Sequence, residues 1–200
     1  MVILLITNIL GILIFLFIFW RKLKEDYASE IIFKSAFYTL IGIAVGIFVS
    51  WKIYSQAFLW MAFVGSLIGV GVSSYMFKER FYECLEALVI AALPWLSFVF
   101  LSDSVINSSP VSFFAFLVTL VMMFVYYFFE QRYKGFAWYK SGKVGFAGLA
   151  TLGIIFIIRS AIAVGRFDVI SFLAGYEGII SGAAAFISFL LIFNLGRQKE

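Results

Sequence analysis

Apolar residues fall into seven long runs, at positions 2–20, 31–51, 57–77, 81–101, 111–129, 144–165 and 170–195, and polar residues gather in the short stretches between them. Each run is close to the roughly 20 residues that a helix needs to cross the hydrocarbon core of a bilayer. With no water there to satisfy peptide groups, such segments must be helical. The pattern predicts an all-α polytopic integral membrane protein of seven transmembrane helices. No domain boundary, repeat or low-complexity linker interrupts it, so residues 1–200 are expected to form a single membrane domain.

Composition agrees with that reading. Of 200 residues, 64% are hydrophobic and 13% charged, and the mean hydropathy of +1.07 lies far outside the range of water-soluble domains. A net charge of +4 would suggest nucleic acid in a soluble protein. Here the basic residues flank membrane spans, so lipid headgroups are the expected partners and nucleic acid is not. The single cysteine, Cys84, excludes an internal disulfide and any multi-cysteine metal site. Histidine is absent, which removes the commonest general base and metal ligand. No phosphate-binding loop, dinucleotide fingerprint or nucleophile–base pair is present, and no cofactor or metal is expected.

Charge distribution predicts the orientation. An outside N-terminus and a cytoplasmic C-terminus put Arg21, Lys22, Lys24, Lys34, Lys78, Arg80, Arg132, Lys134, Lys140, Lys143, Arg197 and Lys199 in the cytoplasm, twelve of fifteen basic residues. The first run is expected to stay as an anchor, because its basic cluster follows the apolar stretch instead of preceding it. Trp20, Trp51 and Trp60 fit an aromatic belt at the membrane interfaces. The stretch 130–143 reads as an amphipathic cytoplasmic loop holding Trp138 and Tyr139 at the interface, and 107–110 as an external turn.

Candidate chemistry is sparse. Gly42-Ile-Ala-Val-Gly46, Gly65-Ser-Leu-Ile-Gly69 and Gly145-Phe-Ala-Gly148 space small residues for close helix crossings. Arg159 lies inside an apolar run, where an arginine costs at least about 2.5–3.5 kcal/mol and so needs a partner, a cavity or a ligand. Arg166 follows seven positions later, two helical turns on, which places both guanidinium groups on one face. Such a pair suits a phosphate at the outer leaflet. Glu177, early in the seventh run, is the candidate to neutralise Arg159, to accept a hydrogen bond from substrate, or to act as a base if burial raises its pKa. Glu83 and Glu86 share a helix face and are expected to answer Lys78 and Arg80 at the interface.

The order of these features resembles the prolipoprotein diacylglyceryl transferases, seven-span enzymes of the bacterial inner membrane. The resemblance is diffuse and covers nearly the whole chain. Arg21-Lys-Leu-Lys24 stands at the family's basic turn, and Gly46-Ile-Phe48 at its Gly-x-Arg element. Phe63-Val-Gly-Ser-Leu-Ile-Gly69 keeps the glycines of its His-Gly-Gly block, with Val64 at the histidine. Arg159 and Arg166 match both arginines of its Arg-x3-Glu-x2-Arg pattern, with Ala163 at the glutamate, and Glu177 stands at the family's glutamine. The family's Gly-Arg-x-x-Asn-Phe-x-Asn-Gly block has no counterpart in 98–103.

The resemblance implies a multi-pass bacterial plasma-membrane protein acting in lipoprotein lipidation. Its partners would be an anionic phospholipid and a lipoprotein precursor, and its substrate-binding residues Arg159, Arg166, Glu177, Gly65 and Gly69. Two other readings stand beside it: a catalytically inactive relative that binds lipid or a membrane protein, and a small transporter subunit. The chain lacks the internal repeat that transporters usually show.

Overall fold

The computed structural model describes residues 2–139, 141–165, 169 and 172–197. Among the described residues there are seven α-helices: α1 (Val2–Leu23), α2 (Ser29–Ile53), α3 (Phe58–Phe77), α4 (Phe81–Asn107), α5 (Pro110–Arg132), α6 (Phe146–Val164) and α7 (Glu177–Arg197). Short 3-10 turns occupy Ser55–Ala57, Tyr133–Gly135 and Ala174–Tyr176, and no strand occurs among the described residues. All seven helices are long and apolar enough to cross a membrane, as expected of a multi-pass membrane protein. Large apolar side chains such as Leu5, Phe37, Phe124 and Phe186 point outward. Exposure of this extent is a liability in water and ordinary in lipid.

Several helix ends follow local rules. Ser109 caps α5, its hydroxyl accepting from Ser112 N at 3.3 Å with Pro110 in the first turn. Lys78 and Ser108 close α3 and α4 in the left-handed region, at φ 57° and 49°. Gly145 opens α6 at φ 118°, where a side chain would be strained. α4 extends to Asn107, beyond the expected stop at 101, which leaves only Ser108 and Ser109 in the α4–α5 turn. α7 begins at Glu177, later than the run from 170 suggested.

α4 is the most buried span and packs on α1, α3, α5 and α6. α2 pairs with α3, and α6 with α7. Contacts such as Gly42 on Gly65, Asn8 with Trp95, Asp103 with Ser112 and Ser160 with Gly178 show successive helices alternating in direction. The described basic side chains other than Lys52 and Arg159 therefore share one end of the bundle. That end is densely packed around Phe15, Phe19, Leu23, Tyr133, Tyr139, Phe146 and Leu195. Tyr139 is only 1% exposed, so it belongs to this core and not to the interface, whereas Trp138 is exposed as expected.

The glycines act where α2 crosses α3. A Cβ at Gly42 would strike the Gly65 carbonyl, one at Gly65 the Gly42 carbonyl, and one at Gly46 the Met61 carbonyl. At Gly69 it would lie 2.8 Å from the Thr39 Cα. In lipid no hydrophobic force drives helices together, so close backbone packing of this kind supplies the attraction.

Candidate functional site

Arg159 sits near the C-terminal end of α6, 7% exposed. Its Nε donates to Glu177 Oε1 at 2.9 Å, and a terminal nitrogen lies 2.7 Å from the same oxygen. Glu177 is wholly buried as the first residue of α7, where the helix N-terminus favours negative charge. Oε1 also accepts from Ser181 Oγ at 2.7 Å, while Oε2 accepts from Trp60 Nε1 at 2.9 Å and Leu173 N at 3.1 Å. Three side chains and one peptide group thus hold this carboxylate.

Aromatic rings frame the cation. The guanidinium carbon lies 4.8 Å from the Phe172 ring centroid and 5.9 Å from that of Trp60. Trp60 in turn stacks on Phe156, one helical turn before Arg159, with centroids 5.2 Å apart. A buried ion pair loses much of its attraction to desolvation unless further hydrogen bonds complete it, and here they do. The pair ties α6 to α7, and Trp60 ties both to α3.

Beside it lies a cavity of about 750 Å³. Its walls come from α1 to α6, with Leu4, Ile43, Phe63, Leu93 and Phe114 among them, and from Val169 and Phe172. Arg159 is the one ionisable side chain among the described residues that line it. The cavity occupies the end of the bundle opposite the basic one, from Thr7 on α1 to Ile162 on α6. Asn8 and Trp95 bond to each other across its wall, Trp95 Nε1 donating to Asn8 Oδ1 at 3.2 Å.

The candidates from sequence separate into groups. Arg159 and Glu177 come together as the neutralised pair, and Arg159 also faces the cavity. Gly65 and Gly69 face α2. Arg166 lies outside the described residues, and α6 closes before it at Val164. Trp60 is buried against Glu177 and is not a belt residue. Its role was illegible because it depends on α3 meeting α7, more than a hundred residues apart in sequence.

Glu83 and Glu86 part company. Glu83 pairs with Arg80 at 3.0 Å, as expected, and accepts from Tyr27 Oη at 2.7 Å. Tyr27 Oη also accepts from Arg80 N, and burial, with the Glu83 carboxylate alongside, pushes its phenol up to about 12. Glu86 turns away from Lys78 and Arg80. It is 1% exposed, lies 3.8 Å from Lys22 Nζ, and accepts from Gly145 N at 2.7 Å, so it anchors the start of α6. Lys22 also pairs with Glu130, which binds α1 to α5.

No protein-family model, no curated protein and no solved structure matches the chain.

Proposed function

We propose that the chain is a divergent relative of the prolipoprotein diacylglyceryl transferases that takes an anionic diacyl phospholipid into the cavity beside Arg159. The observation that carries this reading is the cavity itself: apolar walls for acyl chains, with one guanidinium for a phosphate. Arginine binds phosphate through charge-assisted, geometrically matched hydrogen bonds, which are strongest where water is scarce. Glu177, Phe172 and Trp60 hold the guanidinium in place before any ligand arrives. In the proposed orientation the N-terminus is outside and the C-terminus cytoplasmic, in a bacterial plasma membrane. The cavity then lies in the outer half and the basic end faces the cytoplasm.

In the resembled family, a lipoprotein cysteine thiol attacks the glyceryl carbon, a C–S bond forms, the C–O bond to phosphate breaks, and glycerol phosphate leaves. The thiol proton needs an acceptor, and this chain has no histidine to take it. A second reading, lipid binding without transfer, is favoured by that absence and by the hydrogen bonds that already commit Arg159 to Glu177.

One experiment separates the two. The protein is purified from membranes, its bound lipid identified by mass spectrometry, and thioether formation measured with phosphatidylglycerol vesicles and a lipobox peptide. Thioether product lost on Arg159→Ala supports the transferase. Copurified phospholipid without product, reduced in an Arg159→Met/Glu177→Gln double variant that leaves neither charge buried alone, supports the binder. Purification free of phospholipid overturns both.

A further inference from the structure

The α3–α4 turn carries a carboxylate at the other end of the bundle from the cavity. The turn has three residues, and its outer two, Lys78 and Arg80, are exposed. Glu79 between them points inward and is 6% exposed, enclosed by α2, α3 and α4. Its Oε2 accepts from Ser35 Oγ at 2.6 Å, and Ser35 lies 2.8 Å from Ser73 Oγ. Its Oε1 is buried without a hydrogen-bond partner, and so is the hydroxyl of Ser74, 8% exposed. The Cys84 thiol of α4 adjoins both groups.

No cation answers this carboxylate among the described residues. Arg80 is paired with Glu83, Lys34 with Glu30, and Lys78 faces outward. Cys84 is the titratable side chain that meets Glu79; from α2 and α3 it meets only hydroxyls. A glutamate between two basic residues at a membrane surface has an inexpensive alternative, which is to face water. A buried charge without a counter-ion is unfavourable, and such a group escapes the cost by taking up a proton.

We infer that Glu79 is a proton-operated latch, which as the neutral acid holds the α3–α4 turn against α2 and on ionisation releases the turn and uncovers Cys84. The neutral acid keeps a carbonyl oxygen for the Ser35 hydroxyl and gives the unpartnered oxygen a proton to donate within a pocket of hydroxyl and thiol groups. Burial holds the Glu79 carboxyl above the usual carboxylate range, outweighing the Ser35 and Cys84 hydrogen bonds that act the other way. Because folding favours the protonated form, its stabilising contribution is complete below the ordinary carboxyl range and is lost as pH rises through the raised value. In the proposed orientation the latch reads cytoplasmic pH.

Cys84 is the single cysteine and serves as a built-in probe. Its alkylation by a small maleimide is followed in detergent micelles from mildly acidic to mildly alkaline pH, for the wild type and for Glu79→Gln. Glu79→Gln keeps the thiol and removes the neighbouring carboxyl, whose negative charge would by itself disfavour the thiolate and slow alkylation, so a wild-type to variant rate ratio that rises with pH reports release of the turn. The ratio is expected to start near one and to rise several-fold through a single titration, while Ser35→Ala, which removes a hydrogen bond favouring the ionised form, moves its midpoint to higher pH. A flat ratio overturns the latch, and so does a ratio that follows sodium or potassium concentration but not pH, which would mark a cation site. If Glu79→Gln does not fold, the wild type and Ser35→Ala still decide: identical profiles overturn the proposal.

Discussion

Arg159 and Glu177 illustrate how a single residue pair is judged in a membrane bundle. Removing Arg159 leaves the Glu177 carboxylate buried without its cation, and removing Glu177 takes from the buried Arg159 its carboxylate, so Arg159→Met or Glu177→Ala is expected to cost about 3–5 kcal/mol. The Arg159→Met/Glu177→Gln double variant should recover most of that loss, because two matched apolar or neutral groups need no compensation. Unfolding in micelles of both singles and the double, read as a double-mutant cycle, checks this. Tyr27 offers a second test at the same scale. Its hydroxyl joins the α1–α2 connection to the α3–α4 turn, and Tyr27→Phe should lose about 1.5 kcal/mol, the scale of a hydrogen bond to a charged group. With the phenol raised to about 12, the wild type's advantage over Tyr27→Phe should be complete below the ordinary tyrosine value and shrink as pH rises from there through the raised value. Stability of the two proteins against alkaline pH measures it.

At the scale of elements, the α2–α3 crossing rests on backbone contact. Gly42→Ala or Gly65→Ala places a methyl group against a carbonyl of the facing helix, and overpacking of this kind typically costs about 1–3 kcal/mol. Gly71, on the same helix as Gly65, meets nothing within 4 Å, so Gly71→Ala should be neutral or stabilising by about 0.5–1 kcal/mol. Thermal unfolding of the three variants compares them directly. These crossings were legible because small residues three or four apart reveal a face whatever helix lies opposite. Helix number was legible from apolar run length. The ends of α4 and α7 were less so: hydropathy continues smoothly past Leu101, and it begins before the carboxylate of Glu177 starts α7.

For the whole molecule, the two ends of the bundle differ in packing. The basic end is filled by aromatic side chains and by the Lys22, Glu86 and Glu130 contacts. The other end keeps a cavity of about 750 Å³. Ala92 and Ala115 line that space, and a phenylalanine at either position should occupy it. Ala115→Phe is expected to reduce copurified phospholipid several-fold, since the added ring projects from the cavity wall into the space a lipid would fill. Lipid mass spectrometry of both proteins, purified in parallel, checks it. Unchanged lipid content would remove the cavity from the functional account.

Seven spans, their glycine faces, the charge asymmetry of their ends and the cost of Arg159 were all determined by the sequence, because each depends on residues close together along the chain. Which groups answer Arg159 and Glu86, why Glu79 is stranded, and that six helices leave a cavity beside a single guanidinium were decided by tertiary structure. Lipid supplies no hydrophobic preference for one helix neighbour over another. Partner choice therefore rests on close packing and paired polar groups between segments remote in sequence, and hydropathy along the chain contains neither.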